Sequence, residues 1–413
     1  MTTRIGHGQA AIAVPTGTPL GGYAARTGTS TGTLDLLEVH AVTVSAGGAR
    51  FAWVVADLPA VNTDLAGALT SRLAGSLRTR PELVWLSATH THSGPDTGCR
   101  PGGGRTSPQW REPILQAGEY AAGNAMATEQ PSDLTAHTGL IEGVGGQRSG
   151  PGPRQDVPVT VLAARDRGRV QGCVLVLPVH PTVLGADNLR VSADLAGAVR
   201  RAVSARLDGW AVVATGAAGD VSTRPHRRNQ HPEELDRLGV LAAEQVLAIL
   251  DTPGRRVDVD HRPITGARTW SLGLPPRTNE PAPDSRALRR HLEATLRTGD
   301  PVAVRTAETA LQGAELAGSA QIRDPRLVVS TVRLGDLALA GFGGEPYLSL
   351  EATLASEVDG PLALAGYTCG YLGYLPEAAA YRNAVYEVNI APTAEGGAEL
   401  AVREALRLLG GLR

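Results

Sequence analysis

Five short segments carry the residues that can do chemistry. The first, Thr89-His90-Thr91-His92-Ser93-Gly94-Pro95, follows the apolar run Leu83–Ala88. If the extended conformation continues, His90 and His92 share a face, because strand side chains repeat every two residues. Two imidazoles on one face at a strand end form half of a metal site, or a ligand plus a general base. They equally fit two polar surface histidines. The second segment puts His180 at the end of another apolar run, Gly172–Val179, where a structural histidine is the plainer reading. Asp187-Asn188 and Ser192-Ala193-Asp194 then open a helix, with Ser192 or Asp194 expected as its N-cap.

The third segment, Gly216-Ala217-Ala218-Gly219-Asp220-Val221-Ser222, runs from a strand into a glycine-rich turn. Such a turn exposes backbone N–H groups and a hydroxyl to a reacting oxygen, or is simply a turn. It is not the G-x-S-x-G nucleophile elbow. The fourth, Gly343-Gly344-Glu345-Pro346, sets a carboxylate at a strand end, where it completes a metal shell or opens a helix. The fifth holds Tyr367, Tyr371, Tyr374, Tyr381 and Tyr386, five of the eight tyrosines in the chain. Phenols there coordinate metal, donate to an oxyanion, or pack.

The elements that must position these residues alternate. Val39–Val44, Phe51–Ala56, Leu83–Ala88, Val157–Ala163, Gly172–Val179, Trp210–Ala214, Leu327–Leu334 and Leu337–Gly341 are predicted strands. Leu65–Leu77, Ala193–Leu207, Pro232–Leu250, Ser285–Thr298, Val302–Ala317 and Gly397–Leu409 are predicted helices. This alternation is expected of an α/β fold with mixed sheets and flanking helices. No sequence repeat is visible. The proline-rich stretch Leu274–Asp284 leads into a helical pair, and residues 274–325 are expected to form a lid or an oligomer surface.

Composition narrows the chemistry. All 39 basic residues are arginine, so lysine Schiff bases, lysine-bound pyridoxal phosphate, a Walker-A lysine and a Ser-Lys dyad are excluded. The formal charge of -2 offers no basic field for nucleic acid or an anionic membrane. Cys99, Cys173 and Cys369 stand far apart, which argues against a disulfide framework or a thiolate zinc site. Metal ligands would then be His, carboxylate or Tyr. No transmembrane run and no signal peptide are visible, so a cytoplasmic location is expected.

In this order and spacing the segments resemble the neutral (non-lysosomal) ceramidase family. The resemblance is carried by THTHSGP (89–95), HPTVLGADNLRVSAD (180–194), GAAGDVS (216–222), GGEPY (343–347) and GYLGYLPEAAAY (370–381), with GTPLGGYAAR (17–26) and the Leu34–His40 stretch at the start. It implies a single large catalytic domain over 1–413 and an amidase that cleaves an N-acyl bond with one zinc ion. It assigns His90, His180, Glu345 and Tyr374 as zinc ligands and places His92 beside the metal as an acid/base or orienting group. Ser222 becomes a nucleophile or positioning group, and Arg148 a holder of a carboxylate or carbonyl oxygen.

Three departures from the family bear on substrate. No C-terminal immunoglobulin-like domain is expected, aromatics are 4% of residues, and Thr223-Arg224-Pro225-His226-Arg227-Arg228 stands where long members have Pro-Asn. The expected substrate is therefore a small or polar N-acyl compound, or a lipid-like one. Amide or lactam formation on the same scaffold, a metal-free serine hydrolase using Ser222, and a non-enzymatic binding protein are the rival readings.

Overall fold

The computed structural model describes residues 2–148, 153–277, 284–317, 322–383 and 385–412. Three sheets share one plan. In the first, Arg4–Ile12, Leu37–Ala46 and Ala49–Ala56 run antiparallel, and Val84–Ala88 adds parallel to Ala49–Ala56 through the helix Thr63–Ser76. In the second, the same roles fall to Asp133–Glu142, Asp156–Asp166, Arg169–Leu177 and Trp210–Thr215, with the helix Asp194–Leu207. In the third they fall to Ile264–Gly273, Arg326–Leu334, Leu337–Phe342 and Leu362–Ala365, with the helix Leu348–Glu357. The repeat is one of topology, and no sequence period accompanies it.

Local chemistry explains the plan. In each sheet the second and third strands join through a two-residue loop: Gly47-Gly48 at φ 60° and 84°, Arg167-Gly168 at 48° and 85°, and Gly335-Asp336 with Gly335 at 62°. Left-handed loops match the strand twist and set the hairpin register. The fourth strand lies parallel, so it needs a helical crossover. A parallel pair also brings two strand ends out at one edge, where α/β folds place their sites.

Those edges are stitched together. Thr89 N–H donates to Ala56 O at 2.9 Å, Gly216 N–H to Leu177 O at 3.1 Å, and Thr368 N–H to Phe342 O at 2.9 Å. Between sheets, Ala88 N–H donates to Tyr367 O at 3.1 Å and Gly366 N–H to Thr215 O at 3.0 Å. Thr215 Oγ1 donates to Thr89 O at 2.7 Å. The third strands end at Ala56, Leu177 and Phe342, and three residues beyond each lie Pro59, His180 and Glu345.

The elements expected from periodicity all form, within a few residues at their ends. Arg4–Ile12 and Pro108–Ala127 escape that reading for one shared reason. The helix lies so close on the strand that a Cβ at Gly6 would meet Ala125 O at 1.9 Å, and at Gly8 Ala121 O at 2.2 Å. Glycines at the contact erase the apolar alternation of the strand. The helix itself carries Pro113 inside.

The helical pair is Ser285–Leu296 and Pro301–Leu316, capped by the carboxylates of Asp284 and Asp300. Parts of the expected 274–325 insertion, 278–283 and 318–321, lie outside the described residues. The second helix rests on the short helix Tyr386–Asn389, where a Cβ at Gly313 would meet Tyr386 Cα at 3.0 Å.

A buried ion cluster joins the first two sheets. Arg200, from Asp194–Leu207, reaches Asp57 at 3.1 and 2.9 Å and Glu38 at 2.8 Å. Asp57 follows the strand Ala49–Ala56 and also accepts from Glu38 N–H at 2.9 Å. Replacing Arg200 by Leu leaves the Asp57 charge buried without its cation. It should cost about 3–5 kcal/mol of stability, read as a lower denaturant midpoint. A variant within about 0.5 kcal/mol of the parent, the usual range of a surface change, would show that Arg200 does not hold the sheets together.

Candidate metal centre

His90 and His180 come from the ends of different sheets. His90 sits two residues past Val84–Ala88 with φ 62°, so the strand has ended and the chain has turned left-handed. The expected extended continuation to His92 is therefore wrong, although the two rings do meet. The bend swings His90 Nδ1 onto Pro59 O and stacks its ring on Tyr367, with centroids 4.1 Å apart. His180 is pinned by its N–H to Val221 O at 3.0 Å and by Nδ1 to Ala218 O at 2.6 Å.

Those carbonyls decide the tautomers. A carbonyl only accepts, so each Nδ1 carries the proton, and in the neutral ring each Nε2 is then bare. The two bare nitrogens face one another at 3.1 Å. Glu345 Oε2 lies 3.2 Å from His180 Nε2 and 3.5 Å from His90 Nε2. Two lone pairs and a carboxylate oxygen thus converge in a buried space with no proton among them. Such a cluster repels itself unless a cation sits within it, and histidines held through Nδ1 by carbonyls are typical metal ligands.

His92 differs. Its Nε2 is 3.2 Å from His90 Nε2, but its Nδ1 is buried with no partner among the described residues. His90, His92 and His180 form a buried triad able to hold a metal, with ligand atoms within 4.8 Å of one another. Only two of the three have an outer partner to orient them. Burial, outweighing the pull of Glu345, takes His90 down to about 4, and burial with the neighbouring His90 takes His92 well below 6.5. Both rings are neutral near pH 7.

The phenols form the next layer. Tyr371 donates to Glu345 Oε1 at 2.6 Å and Tyr367 to Oε2 at 3.3 Å. Tyr374 lies beside Glu345 in a short parallel pair, Glu345–Pro346 with Tyr374–Leu375, and its ring stacks on His180 at 6.1 Å. Its hydroxyl accepts from Arg148 Nη2 at 3.2 Å. Arg148 also donates to Gly219 O at 2.7 Å and pairs through Nε with Glu387 at 2.6 Å. It does hold a carboxylate and a carbonyl oxygen, but they belong to the chain itself. Ser222 is buried, bridges the His180 backbone, and its Oγ accepts from Arg224 N–H at 3.3 Å.

The segment after His180 corrects the expected helix cap. Ala193 is the capping residue, and no side chain caps the helix there. Asp194, at φ 50°, instead accepts from Val183, Leu184 and Leu195 N–H at 3.0, 3.1 and 2.7 Å. It anchors the turn that carries His180. Burial raises its pKa to about 7 against those three donors.

Four contributors went unseen in the sequence. Glu387 had no signal beyond its place next to Tyr386. Gly22, Tyr23 and Arg26 lie in the GGYAAR segment, whose paired glycines and aromatic were the available sign. Tyr23 meets the His92 ring edge-on at 4.6 Å. Gly22 has φ 100°, and a Cβ there would lie 2.6 Å from His92 Cγ.

No protein-family model matches the chain, and no curated protein sequence matches it. Solved structures do. Neutral ceramidase from Pseudomonas aeruginosa superposes with a TM-score of 0.77 at 17% identity, covering 100% of this chain and 74% of that one. A ceramidase complexed with C2 gives a TM-score of 0.77 at 17% identity, covering 100% and 75%. The chain has the neutral-ceramidase fold. In this neutral-ceramidase fold the sheet edges supply His90, His180 and Glu345, and the loop after the last sheet supplies the tyrosines.

The oriented and unoriented histidines should respond differently to removal. His90→Ala and His180→Ala should each weaken divalent-metal binding by more than the roughly 10–100-fold that an outer partner is worth. His92→Ala should keep most of the metal. Elemental analysis and metal titration of the three variants check this, and equal losses in all three would make His92 a ligand.

Proposed function

We propose that the protein is a zinc-dependent amidohydrolase that cleaves, or in reverse forms, an N-acyl amide bond. The observation that carries this reading is the protonless convergence of His90 Nε2, His180 Nε2 and Glu345 Oε2. The two similar structures, a neutral ceramidase and a ceramidase complexed with C2, point to the same chemistry. Nitrogen and oxygen donors without thiolate suit zinc, and Tyr374 is assigned the fourth place. Burial and the Glu345 charge push the Tyr374 phenol well above its usual range and Arg148 only partly opposes them, so a bound cation would have to draw off its proton.

An amide carbonyl is a poor electrophile. Zinc, when bound, supplies Lewis acidity for that carbonyl and lowers the pKa of water to about 7. His92 accepts the proton released as water adds to the carbonyl carbon. It returns that proton to the leaving nitrogen as the C–N bond breaks, giving acid and amine. The unpartnered Nδ1 leaves His92 free to serve, whereas His90 and His180 are fixed. Ser222 positions the substrate.

The serine-hydrolase alternative lacks a base. His180, the backbone neighbour of Ser222, has Nδ1 on Ala218 and Nε2 facing Glu345. The helical pair Ser285–Leu296 and Pro301–Leu316 acts as a lid, through its seat on Tyr386–Asn389, which bears Glu387. Among the described residues no helix is long and apolar enough to cross a membrane, and we assign the protein to the cytoplasm.

Large apolar side chains exposed among the described residues are scattered: Leu36, Tyr120, Leu140, Val240, Trp270, Leu296 and Val302. Each sits on a different element or loop, none of which carries His90, His92, His180 or Glu345, so a rim for two long chains is not expected. Soluble N-acyl amines or amino acids should therefore exceed long-chain ceramide in kcat/KM by tenfold or more, about 1.4 kcal/mol in transition-state binding. Side-by-side kinetics test this, and ceramide as the best substrate by that factor would defeat it. Chelation should abolish turnover and zinc should restore it. Full activity in a metal-free preparation would overturn the metal assignment.

A further inference from the structure

The rim of the metal centre holds more positive charge than the chain itself answers. Arg224 lies two residues past Ser222, and its side chain makes one long contact, Nη1 to Thr306 Oγ1 at 3.5 Å on the helix Pro301–Leu316. Arg227 donates through Nη1 to the carbonyl of Thr182, two residues past His180. Arg26 donates through Nε to Asn188 O at 3.1 Å and through Nη1 to Gly21 O at 2.8 Å and lies over the Tyr23 ring at 5.1 Å, but its Nη2 is buried with no hydrogen-bond partner among the described residues. Tyr23 in turn packs on His92.

Asp187 acts on Arg26 without forming an ion pair, and the other nearby carboxylates are spent elsewhere. Glu387 pairs with Arg148 at 2.6 Å, and Glu308 with Arg305 at 3.0 Å. Asp194 is committed to three backbone N–H groups. Glu345 faces the histidines. Among the described residues no carboxylate forms an ion pair with Arg224, Arg227 or Arg26. Burial and the Arg148 charge push Arg224 down to about 9, and burial lowers Arg227, with Arg305 and Arg148 adding to it. Half-buried guanidiniums that repel one another are costly unless an anion joins them, and their planar forks match a carboxylate or phosphate.

We propose that Arg224 and Arg227, supported by Arg26, form an oxyanion subsite at the rim of the metal centre, and that the N-acyl substrate carries a carboxylate or phosphoryl group that seats there. This inference rests on the amidohydrolase reading for the placement of the acyl bond, but the subsite is testable without turnover. It also assigns a use to the arginines of the Arg224–Arg228 segment. The probes carry the anion on the amine portion, as in an N-acyl amino acid or an N-acyl phosphoethanolamine.

The experiment titrates the zinc-loaded full chain with N-octanoylglycine, N-octanoylglycinamide and N-octanoyl phosphoethanolamine, and then follows their cleavage. The acid should bind at least tenfold more tightly than its neutral amide. In Arg224→Gln/Arg227→Gln the two should fall within about twofold of each other, with circular dichroism showing a folded protein. The single variants, each retaining one guanidinium, should lie between and serve if the double variant does not fold. A phosphate probe that binds more tightly than the acid, with the same loss in the variants, supports the subsite with phosphate as its occupant. Equal binding of acid and amide by the parent overturns the subsite. So does a preference that survives in the variants, since the carboxylate would then be held by the metal. Discrimination without cleavage of any probe would leave the subsite standing and count against the amidohydrolase reading.

Discussion

The structure depends on two backbone carbonyls. Pro59 O and Ala218 O each take the Nδ1 proton of a histidine and so turn a bare Nε2 toward the same point. Glu345 brings a carboxylate oxygen to 3.2 and 3.5 Å of those nitrogens. Nothing in this cluster can donate a proton to anything else in it. A cation would relieve that repulsion, and the hydroxyls of Tyr367 and Tyr371 hold the carboxylate in place.

The sheets exist in the arrangement this constraint requires. Each repeats an antiparallel hairpin followed by a parallel crossover, and each third strand ends three residues before Pro59, His180 or Glu345. One offset from three equivalent strands thus supplies a carbonyl acceptor, an imidazole and a carboxylate. The ends are tied to each other by main-chain bonds between sheets. Rigid strands locate a site more finely than loops do. The buried Arg200–Asp57–Glu38 cluster fixes the edge that carries Pro59.

Around this frame the charges fall into two groups. Arg148 is satisfied by Glu387, Gly219 O and Tyr374, so it acts as part of the wall. Among the described residues Arg26, Arg224 and Arg227 form no ion pair with a carboxylate. That contrast separates a guanidinium that shapes the centre from guanidiniums available to a ligand. Tyr23 and Gly22 close the remaining side against His92.

The sequence by itself determined the α/β alternation and singled out His90, His92, His180, Ser222, Glu345 and Tyr374. Strand period, turn glycines and residue chemistry act locally, and the resemblance to neutral ceramidases supplied their grouping. The absence of lysine and of paired cysteines likewise restricted the donor set without any coordinates. Tertiary structure decided what depends on distant chain segments meeting. His90 leaves the strand at φ 62°, which no alternation rule foresees, and Asp194 braces the His180 turn instead of capping a helix. Gly6 and Gly8 hide a strand because a helix lies against its backbone. Glu387 gained its role only when it met Arg148, a residue 239 positions earlier in the sequence. Tautomers, ion-pair partners and unanswered charges are set by neighbours in space, and a linear pattern does not contain them.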